Sequence, residues 1–166
     1  MINNSVREVL QKVCATLNKY NVDYLIVGGV AVGFYGYQRI SGIALIKPEM
    51  KTDLDFWYNP TNENFINLIK ALKDLGVNTG ELEKIIFVPK TTFLKIPHKF
   101  FHTDFLPQMA GLKSFRKCKM KATKRILDGN ELYIISYSDL ILNKNEVNRN
   151  TDKADIVALK RKNKEH

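Results

Sequence analysis

The segment Asp53–Tyr58 alternates acidic and apolar residues (Asp53, Leu54, Asp55, Phe56) and then closes on Trp57 and Tyr58. A period of two in β-favouring residues reads as a strand, whose side chains point alternately to opposite faces. Asp53 and Asp55 then share one face, while Leu54 and Phe56 turn the other way, into a core. Two carboxylates side by side repel and resist burial unless something cationic stands between them. Hard divalent cations with oxygen ligands, Mg²⁺ above all, meet that need. The same pair also fits an exposed edge strand carrying two ordinary surface acids, and the spacing alone leaves both readings open.

The rest of the chain supplies the elements around this strand. Ser5 and Glu8 have capping-box spacing, and Val6, Val9, Leu10, Val13, Leu17 and Tyr20 follow at helical intervals, so an amphipathic helix opens the chain and Asn21 stops it. Tyr24 to Val27 reads as a short buried strand ended by Gly28 and Gly29, with a short helix from Val30 to Tyr35 broken near Gly36. Ile40 to Lys51 reads as a loop with room for one short strand. After Asn59, Pro60 suits a first helical position, and Phe65, Ile66, Leu68, Ile69, Leu72 and Leu75 predict a helix closed by Gly76. Three apolar runs, Ile85 to Val88, Thr92 to Ile96 and Phe101 to Leu106, suit strands, as does Leu132 to Ile135. Ser136 and Asp139 repeat the capping pattern before a helix through about Val147, and a last helix runs from about Thr151 to Lys160. This order predicts an α/β (α+β) fold, a twisted mixed β-sheet flanked by helices. One domain over residues 1–166 is expected, with C-terminal helices from about 136 to 160 and a basic, frayed tail.

At 45% apolar residues the chain is far from a disordered composition. No apolar run approaches the roughly 20 residues of a membrane span, so no membrane partner is expected. The opening MINNSVREVLQK has no apolar core of a signal peptide. Cys14 and Cys118 lack metal-site spacing and suggest no disulfide scaffold, so a cytoplasmic protein is expected. The net charge of +9 points to polyanionic partners. Lys113, Arg116, Lys117, Lys119, Lys121, Lys124 and Arg125 crowd into one stretch. That stretch is either an exposed lysine-rich hairpin or helix, or a phosphate-contacting surface for RNA or a partner protein.

Context sharpens the acidic pair. The preceding strand ends in Gly28-Gly29, and a glycine pair opening a helix leaves backbone N–H groups free to face an anion, with no Cβ to hold phosphate off. A tight strand-to-helix turn without a ligand is the other reading. A third acid, Asp104, sits on the run Phe101 to Leu106 with Phe105 turned inward. It joins Asp53 and Asp55 only if the two strands are neighbours, and three carboxylates would complete a two-metal site that holds a triphosphate. His102 shares the face of Asp104 and reads either as a substrate contact or as a packing or surface residue.

In order, Gly28, Gly29, Ala31, Gly36, Arg39, Asp53 and Asp55 resemble a minimal nucleotidyltransferase of the DNA polymerase beta superfamily, closest to its bacterial toxin–antitoxin and phage-defence branch. The tail is similar too: Ile135-Ser136, then Asp139-Leu140-Ile141, Lys144, Arg149, Asp152 and Asp155. The resemblance spans roughly Val22 to Leu159. It implies a nucleotidyltransferase fold and transfer of a nucleoside monophosphate from a nucleoside triphosphate to a hydroxyl of RNA (transfer RNA included), protein or a small molecule, with release of pyrophosphate. It implies that Asp53, Asp55 and Asp104 bind Mg²⁺, two ions in all, and are catalytic, Asp104 as third ligand or as an aid to deprotonating the acceptor. It implies that Gly28 and Gly29 cradle the triphosphate and that Arg39 and Lys144 contact phosphate. The family has few residues between the arginine and the acids, whereas here Ile40 to Lys51 lengthens the gap, as a lid, as a substrate loop, or as the mark of a divergent site. Asp152 and Asp155 read as a helix cap with lysine partners. Two other functions stay open: a catalytically silent, antitoxin-like or nucleic-acid-binding module on the same fold, and a basic nucleic-acid-binding α/β domain.

Overall fold

The computed structural model describes residues 4–36 and 52–164, so Arg39 and the Ile40–Lys51 segment lie outside the described residues. Helix α1 (Asn4–Lys19) opens the chain and stops at Asn21, whose φ of 56° is left-handed. Because α1 starts at Asn4, Ser5 falls inside the first turn instead of preceding it. Strand β1 (Tyr24–Val27) passes directly into α2 (Gly28–Phe34), two residues earlier than the sequence suggests. Strand β2 (Thr52–Tyr58) leads to α3 (Asn62–Asp74). Thr61 caps α3 by accepting from the Asn64 N–H at 3.2 Å, which leaves Pro60 outside the helix. Strands β3 (Leu94–Pro97) and β4 (Phe101–Leu106), helix α4 (Phe115–Met120), strands β5 (Thr123–Leu127) and β6 (Asn130–Ile134), and helices α5 (Tyr137–Val147) and α6 (Asn150–Lys164) complete the order. Ser136 caps α5 through the Asp139 N–H at 3.1 Å.

The six strands form one mixed sheet in the order β3-β4-β2-β1-β6-β5. The β1–β2, β3–β4 and β5–β6 pairs are antiparallel, and the β1–β6 and β2–β4 pairs are parallel. The alternation of β2 is realised: Leu54, Phe56 and Tyr58 are buried on one face, where Phe56 stacks on Phe105 at 5.2 Å and Tyr58 meets Phe65 of α3. On the opposite face Trp57 packs edge-on to Phe115 at 5.2 Å. Helix α2 lies against β1, β2 and α5. The acids of β2 therefore share their face with α2, away from α3.

One expectation needs correction. Ile85 to Val88 forms no strand. Ile85, Ile86 and Val88 are exposed and only Phe87 turns inward, stacking on Phe65 at 5.0 Å. The Val88 carbonyl then accepts from Thr91 and Thr92 N–H in a turn, so the run has no ladder partner. The basic stretch takes both forms the sequence allows: helix α4 and then strand β5, the edge partner of β6 in an antiparallel hairpin, with mostly solvated side chains.

Candidate functional site

The parallel β2–β4 ladder decides which acids meet. Its register sets Asp55 opposite Asp104 and Asp53 opposite His102. Residues directly opposite on paired strands lie about 5 Å apart and point to the same face. The antiparallel β1–β2 ladder sets Val27 opposite Asp55, so the next residue, Gly28, meets the Asp55 carboxylate. A Cβ at Gly28 would lie 2.4 Å from Asp55 Oδ2, and the Gly28 φ of 68° is itself a glycine conformation.

Asp104 sits half-buried on β4. Its Oδ1 is buried with no hydrogen-bond partner among the described residues. Burial pushes its carboxyl above the usual range; Lys95 pulls it down, the charge of Asp53 pushes it further up, and a hydrogen bond with Asp55 and the nearby His102 oppose. Asp53 is more open, 56% exposed, and its Oδ1 lies 3.1 Å from His102 Nδ1. The histidine is thus a partner of Asp53.

Among the described residues no group of three or more His, Cys, Asp and Glu side chains is arranged to hold a metal ion. Asp55 and Asp104 stand side by side, and Asp53, on the same face of β2, is paired with His102. The Asp55–Asp104 pair nevertheless fits a cation, because an unpartnered buried carboxylate oxygen with a raised pKa is what a bound cation relieves.

Lys144 requires a correction. The sequence suggests a lysine projecting from α5 to meet phosphate, yet its side chain is 3% exposed. Nζ lies 3.2 Å from Asp152 Oδ1 and 3.0 Å from Asp155 Oδ2, both on α6. Helix α5 turns this position toward α6, and the two buried carboxylates hold the ammonium there. Asp152 also accepts from the Arg149 backbone N–H at 3.1 Å and from Arg149 Nε at 2.8 Å. Burial works against ionising Asp152, but the hydrogen bonds from Arg149 and Lys144 prevail and hold its carboxyl at about 2. Arg149 is the cation that sequence reasoning gave no role, and its side chain is 66% exposed. The signal was an Arg-x-x-Asp pair at a helix start.

The basic stretch divides. Lys119 is drawn inward between Asp23 (2.8 Å) and the Tyr133 ring (3.8 Å). Lys121 pairs with Asp139 at 2.7 Å and Lys124 with Glu131 at 2.8 Å. Lys113, Arg116, Lys117 and Arg125 are exposed.

No protein-family model and no curated protein sequence matches the chain. Several solved structures are similar in fold. An antigenic nucleotidyltransferase-like protein from Paracoccidioides brasiliensis superposes with a TM-score of 0.57 at 14% identity, covering 96% of this chain and 77% of that one. A candidate nucleotidyltransferase from Thermotoga maritima gives 0.56 at 13% identity, over 95% and 93% of the two chains. The antibiotic-resistance factor ANT(2'')-Ia gives 0.54 at 12%, over 95% and 83%. The chain has the nucleotidyltransferase fold. At these identities the likeness establishes the fold alone. Among the described residues no helix is long and apolar enough to cross a membrane.

Proposed function

We propose that this chain is a Mg²⁺-dependent nucleotidyltransferase that moves a nucleoside monophosphate from a nucleoside triphosphate to a hydroxyl acceptor and releases pyrophosphate. The observation that carries this reading is the Asp55–Asp104 pair, set side by side by the β2–β4 register on the face shared with Gly28. Asp55 and Asp104, with Asp53 beside them, are the residues that would hold Mg²⁺. Bound there, the metal neutralises triphosphate charge and polarises the phosphorus under attack. Asp104 Oδ1, unpartnered and made more basic by burial, suits the taking of a proton from the acceptor hydroxyl. Gly28 and Gly29 leave the backbone beside Asp55 bare, so phosphate can approach it.

The acceptor is RNA, a partner protein or a small molecule. The exposed Lys113, Arg116, Lys117 and Arg125, on a chain of net charge +9, favour a polyanion. One of the similar structures is an antibiotic-resistance factor, which keeps the small-molecule class in the test. Affiliation with the toxin–antitoxin branch rests on the motif order from Gly28 to Asp155, and a cytoplasmic location on two free, buried cysteines, Cys14 and Cys118.

A second reading, a catalytically silent binding module, is favoured by one observation, the engagement of Asp53 by His102. Equilibrium binding of the four ribonucleoside triphosphates, with and without Mg²⁺, separates the two. The transferase reading expects Mg²⁺-enhanced binding that Asp55→Ala removes; a silent module binds no nucleotide or binds it indifferently to Mg²⁺ and to Asp55.

A further inference from the structure

The turn that leads into β4 carries Phe100, at 71% exposure the most solvated phenylalanine among the described residues. The turn around it is held firmly. The His98 N–H donates to the Phe101 carbonyl at 2.8 Å. The His98 ring stacks on Phe101 at 4.2 Å, nearly parallel at 9°, and its Nε2 lies 3.0 Å from Thr103 Oγ1. With its neighbours anchored, Phe100 stands outward, and Lys99 Nζ lies over its ring at 5.2 Å. A single exposed apolar residue is ordinary, but the surroundings of this one are not. Consecutive Cα atoms are about 3.8 Å apart, so the Phe100 Cα is at most about 7.6 Å from that of His102. His102 Nδ1 in turn lies 3.1 Å from Asp53 Oδ1. On its other side the turn borders a cavity of about 490 Å³, lined by Lys12, Asn78, His98, Lys99, Phe100 and Phe101 among others, with no Asp or Glu among the described residues of its wall. Successive side chains of β4 alternate, so Phe101 faces this cavity while His102 faces the acids, and the turn is the rim between them.

We propose that this rim docks the acceptor, a single-stranded RNA. An unpaired base stacks on Phe100, Lys99 and Lys12 meet the adjoining phosphates, and the strand rounds the turn to bring its hydroxyl to the acids. The proposal rests on the nucleotidyl-transfer reading, whose acceptor class it names. Exposed aromatic rings beside ammonium groups hold unpaired nucleotides because every base offers a π-face and every phosphate a charge. A duplex keeps its bases stacked inside and gains nothing from Phe100. The acid-free wall, on a chain of net charge +9, supplies the charge complementarity.

The test is fluorescence anisotropy of a short labelled single-stranded RNA with the full chain, beside the same RNA annealed to its complement. Wild type, Phe100→Ala, Lys99→Ala and the exposed apolar control Ile86→Ala are compared. Phe100→Ala should weaken the single strand about 5- to 100-fold, the worth of one stacked base, and leave the duplex affinity unchanged. Lys99→Ala should lower the salt dependence by about one phosphate contact. Ile86→Ala should bind as wild type does. A Phe100→Ala protein that keeps its affinity for the single strand overturns the proposal, as does one that loses single strand and duplex alike, or a loss matched by Ile86→Ala. A second measurement uses wild type alone. RNA carrying 5-iodouridine, crosslinked by light and read by peptide mass spectrometry, should attach to residues 97–101; attachment only elsewhere overturns the proposal. RNA bound through Phe100 but never labelled by a nucleotide overturns the transfer reading and leaves Phe100 as the contact of a silent module. RNA labelled equally by wild type and Phe100→Ala overturns the docking alone.

Discussion

Replacing Lys144 by Met separates a lysine that binds phosphate from one that holds the fold. The methionine keeps much of the aliphatic volume but removes the ammonium between Asp152 and Asp155. Asp152 retains Arg149, while Asp155, at 0% exposure, loses its contact with the ammonium. Removing one member of a buried ion pair costs about 3–5 kcal/mol. For a domain of this size each kcal/mol shifts Tm by roughly 2–4 °C, so a fall of about 6–20 °C is expected. Calorimetric or circular-dichroism melts of the purified chain read it directly. The double variant Lys144→Met/Asp155→Asn should recover part of the loss, because one of the two buried negative charges goes with the lysine. A Lys144→Met protein that melts within a few degrees of wild type while its nucleotide affinity falls would refute the reasoning. Lys144 would then be the phosphate ligand the sequence suggests.

Three more outcomes are expected. Asp104→Asn should abolish transfer yet melt slightly higher than wild type at neutral pH, by about 1 kcal/mol, as an unsatisfied buried oxygen costs about 1–3 kcal/mol. The sign follows from a folded-state pKa raised above the unfolded one: ionising Asp104 costs stability as pH rises through its folded value, so the gain of Asp104→Asn should vanish at pH below the ordinary carboxylate range. Asp152 has the opposite sign, because its folded-state pKa is depressed from 3.8 to about 2. Its contribution, about 2 kcal/mol, is present above the ordinary value and lost as pH falls toward 2, and an acid titration of Asp152→Asn should lack that step. Gly28→Ala should impair nucleotide binding as well as stability, because its Cβ meets Asp55 Oδ2 at 2.4 Å; Gly129→Ala, left-handed at φ 84° but with open space around it, should cost only about 1 kcal/mol and leave binding unchanged.

Local chemistry made much of the fold legible. Tyr24–Val27 and Phe101–Leu106 appear with the bounds the sequence suggests, because apolar β-favouring runs are cut off by a glycine pair on one side and Pro107 on the other. The Ser136 cap and the Gly76 stop are equally local. What needed the structure was non-local. Ile85–Val88 has the composition of a strand but no ladder to join, and Thr123–Leu127 has the composition of an exposed basic segment but finds β6. At the site, alternation put Asp53 and Asp55 on one face, yet only the pairing of strands about 50 residues apart decided that Asp104 meets Asp55 and that His102 takes Asp53. Lys144 reads as a surface helix lysine because charged residues are seldom buried unpaired. Its partners lie on the next helix, where Asp152 and Asp155 read as capping residues.

The most direct measurement of nucleotidyl transfer is incubation of the purified chain with each of the four α-phosphate-labelled ribonucleoside triphosphates, Mg²⁺ and total cellular RNA, beside Asp55→Ala and Asp104→Asn. Label should enter RNA, the protein itself or a small-molecule fraction with at least one of the nucleotides, and should be lost in both variants although both remain folded. Label that persists in the variants, or label in no fraction from a wild type that is folded, would contradict a reaction centred on the Asp55–Asp104 pair.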